Sequence, residues 1–384
     1  MPLVSIIILG YNSKKYLKLC FEAIFAQSYS NLEIIYVDNA SSDDSLKVAE
    51  SLLNKNIKII KNEKNLGYAG GQNCGIRNSS GEFVLCLNPD IILDKDYIKN
   101  IVELFQKNKK IGAVTGKLLK FKIIPVCHSE RRPRFIGVEV KNPPAHQVDP
   151  SAASRLQDDI IEKTNIIDSC GLEIFKSHRV VERGGGEIES EISNLKSRIY
   201  NISQKIFGVS GAAPIFRKSA LETIRINSYK KFVSPSHSYF DEDFFSYKED
   251  IDLSFRLLHA GFECWFEPKA LAWHHRWETG SQEIEKTKDT IKRRKKRSIL
   301  INFLSYRNHM FFLLKNEFLS NLILYFPWIF IYEIKKLIFG LFFDKSIIYG
   351  FWNFLKFLPL TLKKRRDILS KSKIKPKDIR KWLK

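Results

Sequence analysis

The first 115 residues alternate short apolar runs with segments of helical period, and this alternation restricts the fold more than any other feature. Residues 4–9, 32–37, 57–60, 83–87 and 111–115 read as strands, rich in Ile, Val and Leu. Most of these runs give way at once to Gly, Asn or Asp. Residues 14–27, 45–53, 71–78 and 97–106 read as helices. In the first of these, Tyr16, Leu17, Cys20, Phe21, Ile24 and Phe25 recur on one face. Regular β-α alternation predicts an α/β fold, with a parallel sheet covered by helices on both faces. Ligands of such sheets bind at the carboxyl ends of the strands.

Those ends carry the residues with chemistry. Asn88-Pro89-Asp90 follows the run Phe83-Val84-Leu85-Cys86-Leu87. One carboxylate there, joined by a diphosphate, can hold Mg²⁺ or Mn²⁺, because hard cations share oxygen ligands with phosphates. Gly10-Tyr11-Asn12-Ser13 ends the first strand and suits the edge of a nucleotide, with Ser13 also placed to cap the next helix. Asp38 lies one residue past the second strand, where a carboxylate can bond a base or ribose. Ser42 and Asp43 read as caps. Four glycines between Gly67 and Gly75 precede a helix, so its first amides become candidate diphosphate donors.

Two later segments add to this set. In Glu249-Asp250-Ile251-Asp252-Leu253-Ser254-Phe255-Arg256, the first two carboxylates fall at a helix N-terminus. An ionised carboxylate there can take a proton from a hydroxyl. Asp252 and Arg256 are spaced as a surface ion pair, with Leu253 inward. His274-His275, past the apolar run 270–272, suits a metal ligand or phosphate contact.

Residues 122–163 lose the pattern and read as a long loop or insertion. Order returns at Ile166-Ile167-Asp168. The formal charge is +21, and residues 281–384 hold 25 Lys and Arg against 8 Asp and Glu, or +17 of it. That tail combines the basic run 292–297 with aromatic-rich helices, interrupted by Pro327, Gly340, Gly350 and Pro359. Its longest uncharged run, residues 318–332, is short of the roughly 20 residues a spanning helix needs. The tail therefore reads as a basic amphipathic helical region lying on an anionic membrane surface. Mean hydropathy of −0.21 argues against many membrane spans. Six cysteines without CxxC spacing predict buried free thiols, as at Cys20 and Cys86, in a reducing compartment. The N-terminus runs into a strand with no basic leader, which predicts no export signal. The division expected is 1–280 for the nucleotide-binding domain and 281–384 for the helical region.

Together these segments resemble the family 2 glycosyltransferases, inverting enzymes with a single GT-A type, Rossmann-like nucleotide-binding domain. The resemblance rests on Tyr11-Asn12, Val37-Asp38-Asn39-x-Ser41-x-Asp43, Asn65-x-Gly67-x-Ala69-x-Gly71-x-Asn73, Asn88-Pro89-Asp90 and Glu249-Asp250-x-Asp252-x-x-x-Arg256. A bacterial rhamnosyltransferase-like subgroup is most similar, through Ile167-Asp168-Ser169-x-Gly171-Leu172, Arg183-Gly184, Gly208-x-x-Gly211-Ala212-Ala213-Pro214-x-x-Arg217 and Tyr306-Arg307-Asn308. The resemblance implies metal-dependent transfer of a sugar from a nucleotide-diphosphate donor to a glycan or lipid-linked acceptor in polysaccharide synthesis. It implies a cytoplasmic, peripheral location on the inner face of the cell membrane. Asp38 would bind the base, Asp90 and His274 the metal, and Asp250 would be the catalytic base, with Glu249 as the other candidate. His275 competes with His274. Tyr11, Asn12, Asn39, Gly67, Gly71, Asn73, Asn88, Gly211 and Ala212 would surround the nucleotide-sugar, Asn88 as a polar contact rather than a metal ligand.

Three other readings fit less well. A sugar-phosphate nucleotidyltransferase needs a Gly-rich, basic signature after strand one, which Gly10-Tyr11-Asn12-Ser13 does not offer. A processive synthase needs spanning helices and Q-x-x-R-W, and here Trp273 stands in the Gln position. A nucleic-acid-binding protein would use the charge, but the charge sits in an apolar, aromatic tail with no nucleic-acid motif.

Overall fold

The computed structural model describes residues 1–52, 56–124, 160–189, 199–227, 237–276, 294–295 and 297–384. Its strands are β1 (Val4–Gly10), β2 (Leu32–Asp38), β3 (Ile57–Lys61), β4 (Phe83–Leu87), β5 (Ile91–Leu93), β6 (Ile111–Ile124), β7 (Ile160–Ser169), β8 (Leu172–Ile174), β9 (Val180–Glu182), β10 (Gln204–Ile206), β11 (Ile215–Arg217), β12 (Ile226–Asn227), β13 (His237–Ser238) and β14 (Glu263–His274). The main sheet runs β10-β14-β6-β11-β4-β1-β2-β3, with β5 on β14 and β7 on β6.

Strands β3, β2, β1 and β4 are parallel, as the alternation predicts. The sheet as a whole is mixed, which corrects the all-parallel expectation. The short β11 enters antiparallel between β4 and β6 after a long excursion. Period two sorts the side chains of β1 onto two cores. Ile6 and Ile8 pack with α1 (Lys14–Phe25), while Ile7 and Leu9 face the opposite core. Each such fully buried side chain contributes about 1.5–3 kcal/mol.

Helices α2 (Ser45–Glu50), α3 (Gly67–Arg77) and α4 (Tyr97–Lys107) complete the first half. Helix α3 begins four residues earlier than its pattern predicts. The glycines read as a loop are helical, because a Cβ on Gly71 would lie 2.3 Å from Leu9. They let α3 lie directly on the sheet. Most of the predicted loop 122–163 lies outside the described residues, and its two ends belong to β6 and β7. Cys127, Trp277 and Lys292, Arg293 and Lys296 of the basic run are outside them too.

After α5 (Lys218–Thr223) and α6 (Glu249–His259) comes the helical region: α7 (Ile299–Asn316), α8 (Leu319–Leu324), α9 (Phe326–Phe342), α10 (Lys345–Ser370) and α11 (Pro376–Arg380). Pro327 starts α9, but helices run on through Gly340, Gly350 and Pro359. At Gly350 a Cβ would come 3.1 Å from the Phe303 carbonyl, so this glycine permits close helix packing rather than a break. No helix among the described residues is long and apolar enough to cross a membrane.

The helices share a core with the sheet domain, in which Ile251 and Phe255 of α6 meet Phe311, Phe312 and Phe354. Buried charges reinforce it. Lys315 lies 2.6 Å from both Asp241 and Asp252, and Lys364 lies 2.6 Å from Asp241 and Asp243. Asp252 and Arg256 do pair, at 2.9 Å, but they are buried rather than on the surface. Arg256 also donates to the Ile224 and Tyr239 carbonyls, so each of its three nitrogens has a partner inside the core.

Candidate active site

Strand β4 delivers Asn88-Pro89-Asp90 to the carboxyl edge of the sheet, and β5 then pairs with the end of β14. The Asp90 carbonyl accepts the His275 amide at 3.0 Å, so the two turns are tied together. Neighbouring residues of an extended strand point to opposite faces. His274 therefore points toward Asp90, with its Nε2 3.4 Å from Asp90 Oδ2. His275 points the other way, its Nδ1 3.0 Å from the Tyr16 hydroxyl. The doublet is resolved by this alternation: His274 is the histidine beside Asp90.

Asp168, at the end of β7, is 2.8 Å from His274 Nδ1. This carboxylate–imidazole contact fixes Nδ1 as the donor and leaves Nε2 facing Asp90. Burial pulls the His274 pKa down, but Asp90 and the bond to Asp168 outweigh it and hold the ring near 9. Burial likewise opposes ionisation of Asp90, and His274 and Arg276 overcome it and lower its pKa. Arg276 spans to Glu182 at 2.9 Å. Asp90 and His274, the latter oriented by Asp168 from behind, supply two ligands for a divalent cation, which would displace the proton that His274 Nε2 otherwise shares with Asp90. No cluster of three or more metal-binding side chains occurs among the described residues. Remaining ligands would come from phosphate oxygens and water, the usual pattern for Mg²⁺.

Glu249 and Asp250 open α6, as the sequence predicts, and the fold separates their roles. Glu249 is buried, its Oε2 has no hydrogen bond, and burial followed by the Asp250 charge drives its pKa well upward. Asp250 is half-buried. Its Oδ2 accepts the Gly211 amide at 2.9 Å and Oδ1 accepts the Ile251 amide at 2.8 Å. Burial, then repulsion from Glu182, raises its pKa to about 6, while the two amides resist the rise. A carboxylate poised there is ionised at neutral pH yet basic enough to accept a proton. The 211–214 turn links this corner to the metal corner. Its Ala212 carbonyl accepts the Asn88 amide at 2.9 Å, and the Tyr68 hydroxyl holds the Gly211 carbonyl at 2.6 Å.

On the nucleotide side, Asp38 is buried, with Oδ2 on the Ser41 amide at 3.1 Å and Oδ1 without a hydrogen bond. Tyr11 is half exposed at the strand edge, an available aromatic face for a base. Three predicted contact residues are engaged elsewhere. Asn39 bonds Asn62, Asn65, Leu66 and Gly67. Asn73 is fully buried and bonds the Tyr239 and Phe240 backbone and Glu242. Asn12 accepts the Ser42 amide at 2.8 Å, clipping two loops. These bonds anchor the three side chains to the loops around the site.

The amides at the start of α3 are also taken: Gly67 by Asn65, Tyr68 by Ser246 Oγ, and Ala69 by the Phe245 carbonyl. The predicted diphosphate cradle at this helix start is thereby corrected, because protein groups already fill it. Asp168, Glu182 and Arg276 are site residues to which the sequence pattern alone assigned no role. Their one local signal is the apolar run ending in Asp168, which parallels the run ending in Asp38.

Residues 5–162 match the family model described as glycosyl transferase family 2. This region is similar to the family 2 glycosyltransferase domains. The fold of the chain is accordingly of the GT-A type, with a helical C-terminal region. An uncharacterized glycosyltransferase of Haemophilus influenzae is 31% identical over 182 residues, covering 47% of this chain and 55% of the relative. A poly-beta-1,6-N-acetyl-D-glucosamine synthase of Staphylococcus epidermidis is 26% identical over 271 residues, covering 70% and 49%. The chain spans about half the length of these curated relatives. Among solved structures, S. aureus TarS 1-349 in complex with UDP-GlcNAc superposes with a TM-score of 0.48 at 16% identity, over 99% of this chain and 92% of that one. Asp38, which ends β2, and Asp90, in the turn between β4 and β5, lie within the matched region, while Asp250 and His274 come from beyond it.

Proposed function

We propose that the chain is an inverting, metal-dependent glycosyltransferase that moves a sugar from a nucleotide-diphosphate donor to a hydroxyl of a glycan or lipid-linked acceptor in cell-surface polysaccharide synthesis. The observation that carries this reading is the raised, half-buried Asp250 joined through the 211–214 turn to the Asp90–His274–Asp168 corner. Asp38 and Tyr11 take the nucleoside end. Asp90 and His274 would hold a divalent cation, whose charge would neutralise the diphosphate leaving group. Asp250 accepts the proton of the acceptor hydroxyl as its oxygen attacks the anomeric carbon. The bond from that carbon to the diphosphate oxygen breaks, and its electron pair leaves with the nucleoside diphosphate. Attack opposite the leaving group inverts the centre.

The subgroup resemblance suggests a rhamnose donor, whereas relatives are named for N-acetylglucosamine and for UDP-Glc, the latter on a diphosphoundecaprenol acceptor. A screen of dTDP-rhamnose, UDP-glucose and UDP-N-acetylglucosamine, with and without Mn²⁺, decides between them. The true donor raises the melting temperature and is slowly hydrolysed only with metal. Indifference to every nucleotide-sugar tested, with metal present, contradicts the reading.

The helical region fits a peripheral place on an anionic membrane. Helix α9 buries only Glu333 and Gly340, and it exposes Phe326, Trp328, Phe330, Ile331, Ile334 and Ile338. Its 17 residues span about 25 Å, short of the roughly 30 Å hydrocarbon core, so it suits an in-plane position. Exposed Lys335, Lys345 and Lys356 edge the apolar surface and complement acidic headgroups. The chain should float with phosphatidylglycerol vesicles, and Trp328→Ser/Phe330→Ser should abolish flotation. Self-association through this face without flotation, or salt-sensitive duplex DNA binding in its place, contradicts the membrane assignment.

A further inference from the structure

The segment that enters α6 has an unusual backbone. Phe245, Tyr247 and Lys248 all have positive φ, at 62°, 72° and 69°. At Phe245 the pair φ 62°, ψ −68° closes a γ-turn, with the Ser246 amide on the Phe244 carbonyl at 2.7 Å. Turns of this hand are rare and strained, and none of the three residues is glycine. Strain of this kind persists only where surrounding groups enforce it.

Those groups come from α7. Asn308 is fully buried, and its Nδ2 lies 2.8 Å from each of the Phe244, Ser246 and Tyr247 carbonyls, so that its two hydrogens are shared among three acceptors. Arg307 Nη2 donates to the Asp243 carbonyl at 2.7 Å. Arg307 Nε donates to Asn308 Oδ1 at 3.0 Å, which sets the orientation of the carboxamide. On its other side the turn presents the Phe245 carbonyl to the Ala69 amide. The next residues are Glu249 and Asp250, whose bond to Gly211 places the carboxylate in the site.

We propose that Asn308, oriented by Arg307, is a positioning residue for sugar transfer: it holds the 245–248 turn and thereby aims Asp250. The inference rests on Asp250 being the base. It assigns the Tyr306-Arg307-Asn308 segment a role at the site, although it lies on the helical region. A displaced turn loosens the Gly211 bond, and the amide is one of the groups holding the Asp250 pKa down.

The test compares hydrolysis kinetics of Asn308→Ala, Arg307→Lys and Asp250→Asn in the full chain, using the nucleotide-sugar selected by the screen above, with Mn²⁺. Asn308→Ala should lower kcat on the order of tenfold to a hundredfold with donor KM within about twofold, and move the acid limb of the pH profile upward. Arg307→Lys, the milder change, should do the same to a smaller extent and covers the case in which Asn308→Ala does not fold. Adding Tyr247→Gly and Lys248→Gly to Asn308→Ala should restore part of kcat, because glycine adopts positive φ without strain. A native kcat and acid limb in both single variants, with Asp250→Asn inactive, overturns the positioning role alone. Native turnover by Asp250→Asn overturns the base assignment itself.

Discussion

Asp241, Asp243 and Asp252 sit against Lys315, Lys364 and Arg256, while Glu249 and Asp250, within the same stretch of chain, make no ion pair among the described residues. Each group mixes buried and half-buried carboxylates, so the contrast is in compensation. A buried carboxylate with a cation at 2.6 Å is scaffold, and it fastens α7 and α10 to the sheet domain. A buried carboxylate without one is held in an unfavourable state that a reacting proton relieves. The contrast locates function more sharply than acidity does, because the two groups look alike in sequence.

Breaking the scaffold group should have the largest effect on stability. Lys315→Met strands Asp241 and Asp252 beside fewer cations, and it should cost about 3–5 kcal/mol in denaturant unfolding. Disturbing the metal corner should show first in metal binding. Asp168→Asn keeps the shape but removes the negative charge behind His274 Nδ1, and Mn²⁺ affinity by titration calorimetry should fall on the order of 10–100-fold. An unchanged affinity would remove Asp168 from the metal corner.

Acidity sharpens the contrast further, with a smaller effect. Although burial opposes it, Lys315 and Lys364 hold Asp241 well below the usual carboxylate range. Its stabilisation is present above the unfolded-state pKa and is lost as pH falls below it. Asp250 has the opposite sign. Its folded pKa is raised, so its contribution is fully present below the ordinary carboxylate value and is lost as pH rises through about 6. Thermal melts should therefore show Asp250→Asn gaining stability relative to the native chain between pH 4 and pH 7.5. Turnover of the native chain should decline as pH drops through about 6. A melting difference that does not vary with pH would contradict the raised pKa.

The same distinction explains what the sequence made legible. The parallel strands β1, β2 and β4 could be read because each is a largely buried apolar run closed by a polar turn, and Asp38 and Asp90 were found by their place in that punctuation. Strand β11 is three residues long and carries no period of its own, so its antiparallel insertion is set by partners far away in sequence. The α3 glycines looked like a loop because the sheet surface that demands them, Leu9, is invisible locally. Likewise, Asp252 and Arg256 have the spacing of an exposed pair, and only the docking of Lys315 and Asn316 buries them. Asp168 reaches His274 across 106 residues and Asn308 reaches the 244–247 backbone across more than 60, separations over which no periodicity operates.

The sharpest single measurement is the kcat of Asp250→Asn beside its affinity for the donor, both with Mn²⁺. If the uncompensated carboxylate is the base, donor affinity stays within about twofold while kcat falls on the order of 10²–10⁴-fold. Turnover within twofold of the native chain, at unchanged donor affinity, would contradict it.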